Sequence, residues 1–312
     1  MHTESHTLPL TDRLRELEKF VGNTPLFPIT RLQKNERVKI YAKLEWQQLS
    51  NSVKARAAFN IIRQAVLSGQ VHEEKGLIDA SSGNTAVAYA TIGAALGIPV
   101  TLCVPENASE QKKNALKALG AELVFTSRFG GTDEAQLKAR ALVAENPDKY
   151  FYADQYANEY NWKAHYHGTA LEIWEQTQGS ITHFIAGLGT TGTFVGTSRR
   201  LKELQPALTA ISLQPDAAMH GLEGWKHLES AIVPKIYDAT IADENRYIDT
   251  YEAFGIMKAA ARHEGLLLSP SAAANLLGAL KLAEEIEEGV IVTTFADHAS
   301  NYPELLNQIL SL

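Results

Sequence analysis

The chain has one cysteine in 312 residues, Cys103, which excludes an internal disulfide and any cysteine-rich metal site. That cysteine lies in the apolar run Val100-Thr101-Leu102-Cys103-Val104, the setting of a buried structural thiol rather than of a nucleophile or ligand. Long apolar runs are also missing, and none approaches the roughly 20 residues that a membrane-spanning helix requires. The first residues, Met1-His2-Thr3-Glu4-Ser5-His6, show no basic stretch followed by an apolar core. Basic charge is scarce, with 29 Lys and Arg against 36 Asp and Glu for a formal net charge of −7, whereas a nucleic-acid partner demands a basic face. Low-complexity segments, long linkers and short-period repeats are absent. The expectation is a soluble cytoplasmic protein whose partners are small molecules, with neither nucleic acid nor membrane involved.

The apolar share, 45%, is that of an ordinary globular protein, and the length allows two packed units. The first dozen residues are polar and are expected to be mobile. A short helix is expected over 12–20, then a turn at Gly22-Asn23-Thr24-Pro25-Leu26. Apolar residues then alternate at Val38, Ile40, Ala42 and Leu44, the period of a half-buried strand. Beyond residue 54 helices and strands take turns: helices over 54–67, 84–96, 109–119 and 132–145, with strands over 76–80, 100–104 and 122–125. The second half repeats the pattern with a helix over 160–176, a strand over 182–186, a helix over 191–204 and a strand over 208–213. Helices over 251–263 and 271–288, a strand over 290–295 and a final helix complete it. Such alternation predicts two α/β units with mostly parallel sheets and a cleft between them, ligands lying at the carboxyl ends of strands.

One stretch is chemically pointed: Gln48-Leu49-Ser50-Asn51-Ser52-Val53-Lys54-Ala55-Arg56, a polar turn running into a helix. A lysine in a first helical turn meets the positive end of the helix dipole, which disfavours its ammonium form. Burial acts in the same direction, so Lys54 could serve as a neutral amine that attacks a carbonyl cofactor. Read by its position alone, it is more readily a surface lysine beside Arg56.

Two glycine loops bear on the choice. Ala80-Ser81-Ser82-Gly83-Asn84-Thr85 joins a strand to a helix, and it offers more polar groups than one helix cap consumes, as a carboxylate site would. Gly187-Leu188-Gly189-Thr190-Thr191-Gly192-Thr193 has the same setting and fits G-x-G-x-x-G, with Asp216 at the distance of a ribose-binding acid. An NAD-dependent dehydrogenase is therefore one reading. Its mid-chain position and three threonines suit a compact cup for a terminal phosphate instead.

Together these segments resemble the cysteine synthase family of pyridoxal-phosphate (PLP) enzymes, most nearly its B-type isozyme. The resemblance rests on Gly22-Asn23-Thr24-Pro25-Leu26, the lysine motif, Ser82-Gly83-Asn84-Thr85 and Gly189-Thr190-Thr191-Gly192-Thr193. Asp154-Gln155-Tyr156, Ile181-Thr182-His183-Phe184 and Leu213-Gln214-Pro215 extend it over nearly the whole chain. It implies the fold type II, tryptophan synthase β-like architecture, with two three-layer α/β/α subdomains. A smaller mobile one would span 46–156, and a larger one 1–45 and 157–312, in a homodimer. It implies that Lys54 binds PLP covalently and serves as base and acid, that Gly189, Thr190, Thr191, Gly192 and Thr193 hold the phosphate, and that Asn84 contacts the phenolic oxygen. Ser81, Ser82, Gly83, Thr85 and Gln155 would bind the substrate carboxylate. The implied reaction converts O-acetylserine and sulfide into cysteine and acetate. β-Elimination, as by a cysteine desulfhydrase or serine dehydratase, and cystathionine formation share the same early chemistry.

Four departures qualify the resemblance. Leu49 and Asn51 replace a proline and a glycine of the lysine motif, and Asn51 is a residue that tolerates a left-handed backbone. Ala55 replaces an aspartate, which leaves Arg56 in need of another partner and keeps open a member of the fold that does not catalyse. The pyridine nitrogen would be met by Ser271 or by Asp297, in the stretches Ser271-Ala272-Ala273 and Asp297-His298-Ala299-Ser300-Asn301-Tyr302. Leu222-Glu223-Gly224-Trp225 replaces the paired arginines that suit a large anionic sulfur donor in B-type enzymes. His298 reads as a loop histidine. His165 and His167 form an H-x-H without a third ligand, so no metal is expected.

Overall fold

In the computed structural model, which describes residues 8–311, the first half of the chain runs α1 (Leu10–Glu18), β1 (Leu26–Ile29), β2 (Val38–Leu44), α2 (Lys54–Leu67), β3 (Gly76–Ala80) and α3 (Asn84–Leu96). It continues with β4 (Val100–Pro105), α4 (Glu110–Ala118), β5 (Glu122–Thr126), α5 (Gly131–Glu145) and β6 (Tyr150–Tyr152). The second half holds α6 (Glu159–Ala164), α7 (Ala170–Gln176), β7 (His183–Gly187), α8 (Gly192–Leu204), β8 (Thr209–Pro215) and β9 (Glu244–Ile248). Then come α9 (Thr250–His263), α10 (Pro270–Glu285), β10 (Gly289–Phe295) and α11 (Pro303–Ser311). Among the described residues no helix is long and apolar enough to cross a membrane.

The chain divides into two compact units, one holding the chain up to Val21 with Ala58–Gln155, the other Gly22–Ala57 with the chain from Tyr156 onward. The division falls within α2, so residues 46–57, Lys54 among them, belong to the larger unit. The sequence had suggested 46–156 for the smaller one and residues 1–45 for the larger.

In the smaller unit four parallel strands lie in the order β5-β4-β3-β6. Every residue of β3 and β4 is buried, as expected for parallel strands covered on both faces. Ile78, Ala80, Cys103, Ala135 and Ala139 form part of the core.

The larger unit has six strands in the order β1-β2-β10-β7-β8-β9, parallel except for β1 against β2. Phe295 pairs with Leu44 and Gly187 with Leu213, which aligns the carboxyl ends of β2 with β10 and of β7 with β8. Those ends deliver Glu45, Asp297 and the threonine loop. Helix α10 packs on this sheet with buried residues around its circumference, Ser269 capping it through Ala272 N–H and Pro270 opening it.

Several boundaries differ from the sequence expectation. The first helix begins at Leu10 rather than at 12, and the part of the expected mobile segment before Leu8 lies outside the described residues. Strands β1, β6 and β9 were not anticipated: β1 carries Pro28 at a sheet edge, β6 has three residues, and β9 buries only Ile248. The helix expected over 160–176 is interrupted by a π-helical turn at His165–Thr169, a widening that often accompanies function.

Candidate active site

The site residues named from sequence divide between the two units. The larger carries Lys54, the segment 189–193, Ser271 and Asp297, and the smaller carries Ser81, Ser82, Gly83, Asn84, Thr85 and Gln155.

Lys54 opens α2 after a short 3₁₀ turn at Leu49–Asn51 in which Ser50 and Asn51 both have positive φ, 59° and 51°. Asn51 thus adopts the left-handed conformation that glycine would supply in the family motif. Ser52 bridges Asp297 as an isolated antiparallel pair, and Val53 N–H donates to the Ala296 carbonyl at 2.8 Å. Although the Lys54 side chain keeps partial exposure, desolvation pulls its amine below the ordinary lysine range, opposed by the charges of Asp297 and Glu45. That shift favours the neutral form a nucleophile needs. Asp297 is fully buried, and its Oδ2 accepts from the Tyr302 hydroxyl at 2.7 Å.

Two residues past Lys54, the structure supplies what Ala55 withholds. Arg56 donates through Nε to Glu45 Oε2 at 2.6 Å and through Nη1 to Glu172 Oε1 at 2.6 Å. Its Nη2 reaches Glu45, Glu172 and Thr24 Oγ1 at 2.9, 2.7 and 3.1 Å. Lys43 is fully buried and meets Glu172 Oε2 at 2.7 Å and the Thr24 carbonyl at 2.6 Å. Two cations and two carboxylates therefore balance. Burial alone would raise the Glu172 carboxyl, but hydrogen bonds and charge from Arg56, followed by Lys43, hold it at about 2. Gln48 Oε1 accepts from Gly22 N–H at 2.9 Å and its Nε2 donates to Glu45 Oε2 at 2.8 Å, which ties the Gly22-to-Leu26 motif to the lysine turn.

The threonine loop leads into α8. Thr191 caps the helix in the left-handed region, at φ 72°, and its buried hydroxyl has no hydrogen-bond partner among the described residues. Thr190 Oγ1 accepts from Asn161 Nδ2 at 3.0 Å, and Thr193 Oγ1 lies 3.3 Å from His165 Nε2. A Cβ at Gly189 would strike the Gly224 carbonyl, and one at Gly192 would strike Asn161, so both glycines are required by close approach. An unpartnered hydroxyl at the N-terminus of a 13-residue helix suits an anionic group that brings its own acceptors, and the residues present fit the phosphate of PLP.

In the smaller unit, α3 starts at Asn84 with Gly83 as its cap and no capping side chain. The hydroxyls of this loop are thus not spent on the cap. Thr85 donates to Gln155 Oε1 at 2.7 Å, and Ser81 Oγ accepts from Gly83 N–H at 3.3 Å. Ser81, Ser82, Gly83 and Asn84 keep partial exposure, and nothing would meet a Cβ at Gly83 within 4 Å.

With this geometry established, the likeness to known proteins is specific. Residues 17–297 match the pyridoxal-phosphate dependent enzyme family. A cysteine synthase of Aquifex aeolicus is 44% identical over 95% of this chain and 93% of its own length. The chain belongs to the cysteine synthase family of pyridoxal-phosphate dependent enzymes. Cysteine synthase B of Pseudomonas aeruginosa is 40% identical over 90% of this chain and 93% of its own. A solved cysteine synthase of Entamoeba histolytica superposes with a TM-score of 0.89 at 29% identity, covering 100% of this chain and 94% of that one. The fold is type II, the cofactor of the family is PLP, and the dehydrogenase reading of the 189–193 loop is set aside.

Within this family the structure brings Asp297 to the Lys54 turn and Gln155 to Thr85. Ser271 is buried in the first turn of α10, 3.3 Å from Ser269 Oγ. The two histidines of the H-x-H part company, His165 buried and His167 exposed on Tyr166. Desolvation, then the charges of Arg56 and Lys54, keep His165 well below the ordinary histidine range. Asp216 follows the end of β8, its N–H donating to the Ile248 carbonyl at 3.2 Å. Sequence reasoning missed Lys43, Glu45, Glu172, Asn161 and the role of His165. The one available signal was the unpaired Arg56, which called for carboxylates.

Proposed function

We propose that the protein makes cysteine from O-acetylserine and sulfide, with PLP joined to Lys54. The observation that carries this reading is the desolvated Lys54 amine beside buried Asp297 at the start of α2. PLP, when bound, supplies an electron sink that acidifies the Cα–H of an attached amino acid. The chain's residues do the rest. Thr190, Thr191 and Thr193 with the first N–H groups of α8 would hold the phosphate, and Gly189 and Gly192 let the loop close against Gly224 and Asn161. Asn84 would contact the phenolic oxygen and Ser271 the pyridine nitrogen, which would leave Asp297 to act on Lys54. Ser81, Ser82, Gly83, Thr85 and Gln155 take the substrate carboxylate. The Lys54 amine, released when substrate arrives, removes the Cα proton. Acetate departs from Cβ with its bonding pair, sulfide adds to Cβ, and Lys54 returns the proton to Cα. A homodimer in the cytoplasm is the setting proposed.

The test is direct. Protein supplied with PLP should show a visible band that borohydride discharges, with the reduced label mapping to Lys54, and Lys54→Ala should lower kcat by at least about 10³-fold. An alanine variant with near-normal turnover would remove the assignment. Pyruvate and ammonia released from O-acetylserine without incorporation of sulfide would place the protein among β-eliminating enzymes instead.

A further inference from the structure

Asp79 is a fully buried carboxylate one residue before the 80–85 loop. Its Oδ1 accepts from Ala80 N–H at 2.8 Å and its Oδ2 from Gln155 N–H at 3.2 Å. Gln155 Nε2 donates to the Ala80 carbonyl at 3.2 Å, and Gln155 Oε1 accepts from the Thr85 hydroxyl at 2.7 Å. Four hydrogen bonds thus join the end of β3, the first turn of α3 and Gln155. The residue before Gln155, Asp154, sits in the left-handed region at φ 42°.

We propose that Asp79 is a positioning residue for the amino-acid substrate, its two carboxylate oxygens setting Ala80, Gln155 and, through Gln155, the Thr85 hydroxyl in the arrangement that receives the substrate carboxylate. The assignment rests on the proposed reaction. Two backbone N–H donors converging on one side chain need two acceptors and no donor, which an ionised carboxylate offers and an amide or a protonated acid does not. A purely structural bridge could use an uncharged group at a smaller desolvation cost, so the choice of a buried acid points to work done in its ionised form.

The surroundings make that form conditional on pH. Burial, against the two N–H donors, raises the Asp79 carboxyl to about 7, with the charge of Asp154 adding to the rise. Facing it are Tyr89 from α3, Tyr152 from β6 and Cys103 from β4, with Arg140 of α5 acting on Tyr152 and Lys138 of α5 on Cys103. Burial pushes both phenols up and the thiol up to about 11. These three stay neutral where Asp79 titrates. As pH rises through about 7, Asp79 ionises, both N–H groups are held, and KM for the amino acid should fall.

The experiment compares PLP-loaded wild type with Asp79→Asn from pH 6 to 8. Wild-type KM for O-acetylserine should fall as pH rises, whereas D79N, whose amide turns a donor toward one N–H, should show a pH-independent KM raised about tenfold with kcat little changed. Asp79→Glu should restore part of the pH response. D79N with wild-type KM and pH profile overturns the assignment. If D79N does not fold, the wild-type profile decides, and a flat KM overturns it. Calorimetric binding of L-serine gives the same comparison without turnover, so a failure of the proposed reaction is distinguished from a failure of this inference.

Discussion

Arg56 and Glu172 meet end on, Nη1 to Oε1 at 2.6 Å and Nη2 to Oε2 at 2.7 Å, across 116 positions of sequence. The same guanidinium grips Glu45, so a single side chain joins β2, α2 and α7 two residues past the lysine proposed to hold the cofactor. Bidentate pairing of this kind fixes direction as well as distance.

Removing Arg56 leaves buried Glu45 without its cation. Arg56→Ala should therefore destabilise the protein by about 3–5 kcal/mol, the cost of an uncompensated buried charge. The urea midpoint of unfolding measures this. A loss below about 1 kcal/mol, the range of a surface pair, would show that the cluster contributes little.

The same cluster predicts an acid limit. The Glu172 carboxyl is held at about 2 in the folded chain against an ordinary 4.5, so its contribution is complete above about pH 4.5 and is lost as pH falls toward 2. The amount at stake is on the order of 3 kcal/mol. Stability measured from pH 6 to 3 should decline more steeply in wild type than in Glu172→Gln, and parallel curves would contradict the assignment.

Thr191 carries a buried hydroxyl without a partner among the described residues. Thr191→Val should accordingly leave the melting temperature of the PLP-free protein nearly unchanged while weakening PLP binding about tenfold, the worth of one hydrogen bond to a charged group. Titration of the PLP-free protein with PLP, followed by absorbance, reads the effect. Unaltered affinity would take Thr191 out of the phosphate cup.

Glu223 is exposed in the segment beside Leu222 and Trp225, where the B-type pattern has arginines. Thiosulfate, a larger anion than hydrosulfide, should be a poor sulfur donor here, because an acid replaces the cations that would attract it. Comparable cysteine formation from thiosulfate and from sulfide at equal concentration would refute this.

Much of the fold was legible because the relevant signals are local. Period-two alternation marked β2, and an alanine-rich run marked α3. The edge strands escaped because an edge needs little apolar surface, as β9 shows by burying only Ile248. The break within 160–176 escaped because a π-helical turn keeps helical composition; within it His165 meets Thr169 at 2.9 Å and Thr193 at 3.3 Å.

The sequence by itself determined the chemistry on offer: a lysine in a first helical turn, threonines and glycines ahead of another helix, and hydroxyls crowding a third. These are short-range facts, written in neighbouring residues. Tertiary structure decided the electrostatics. Whether Lys54 is desolvated, what balances Arg56 and what surrounds Asp79 depend on Glu45, Glu172, Gln155 and Asp297, which come from separate strands, helices and loops. Charge and burial act through space, and no periodicity along the chain records which side chains will meet.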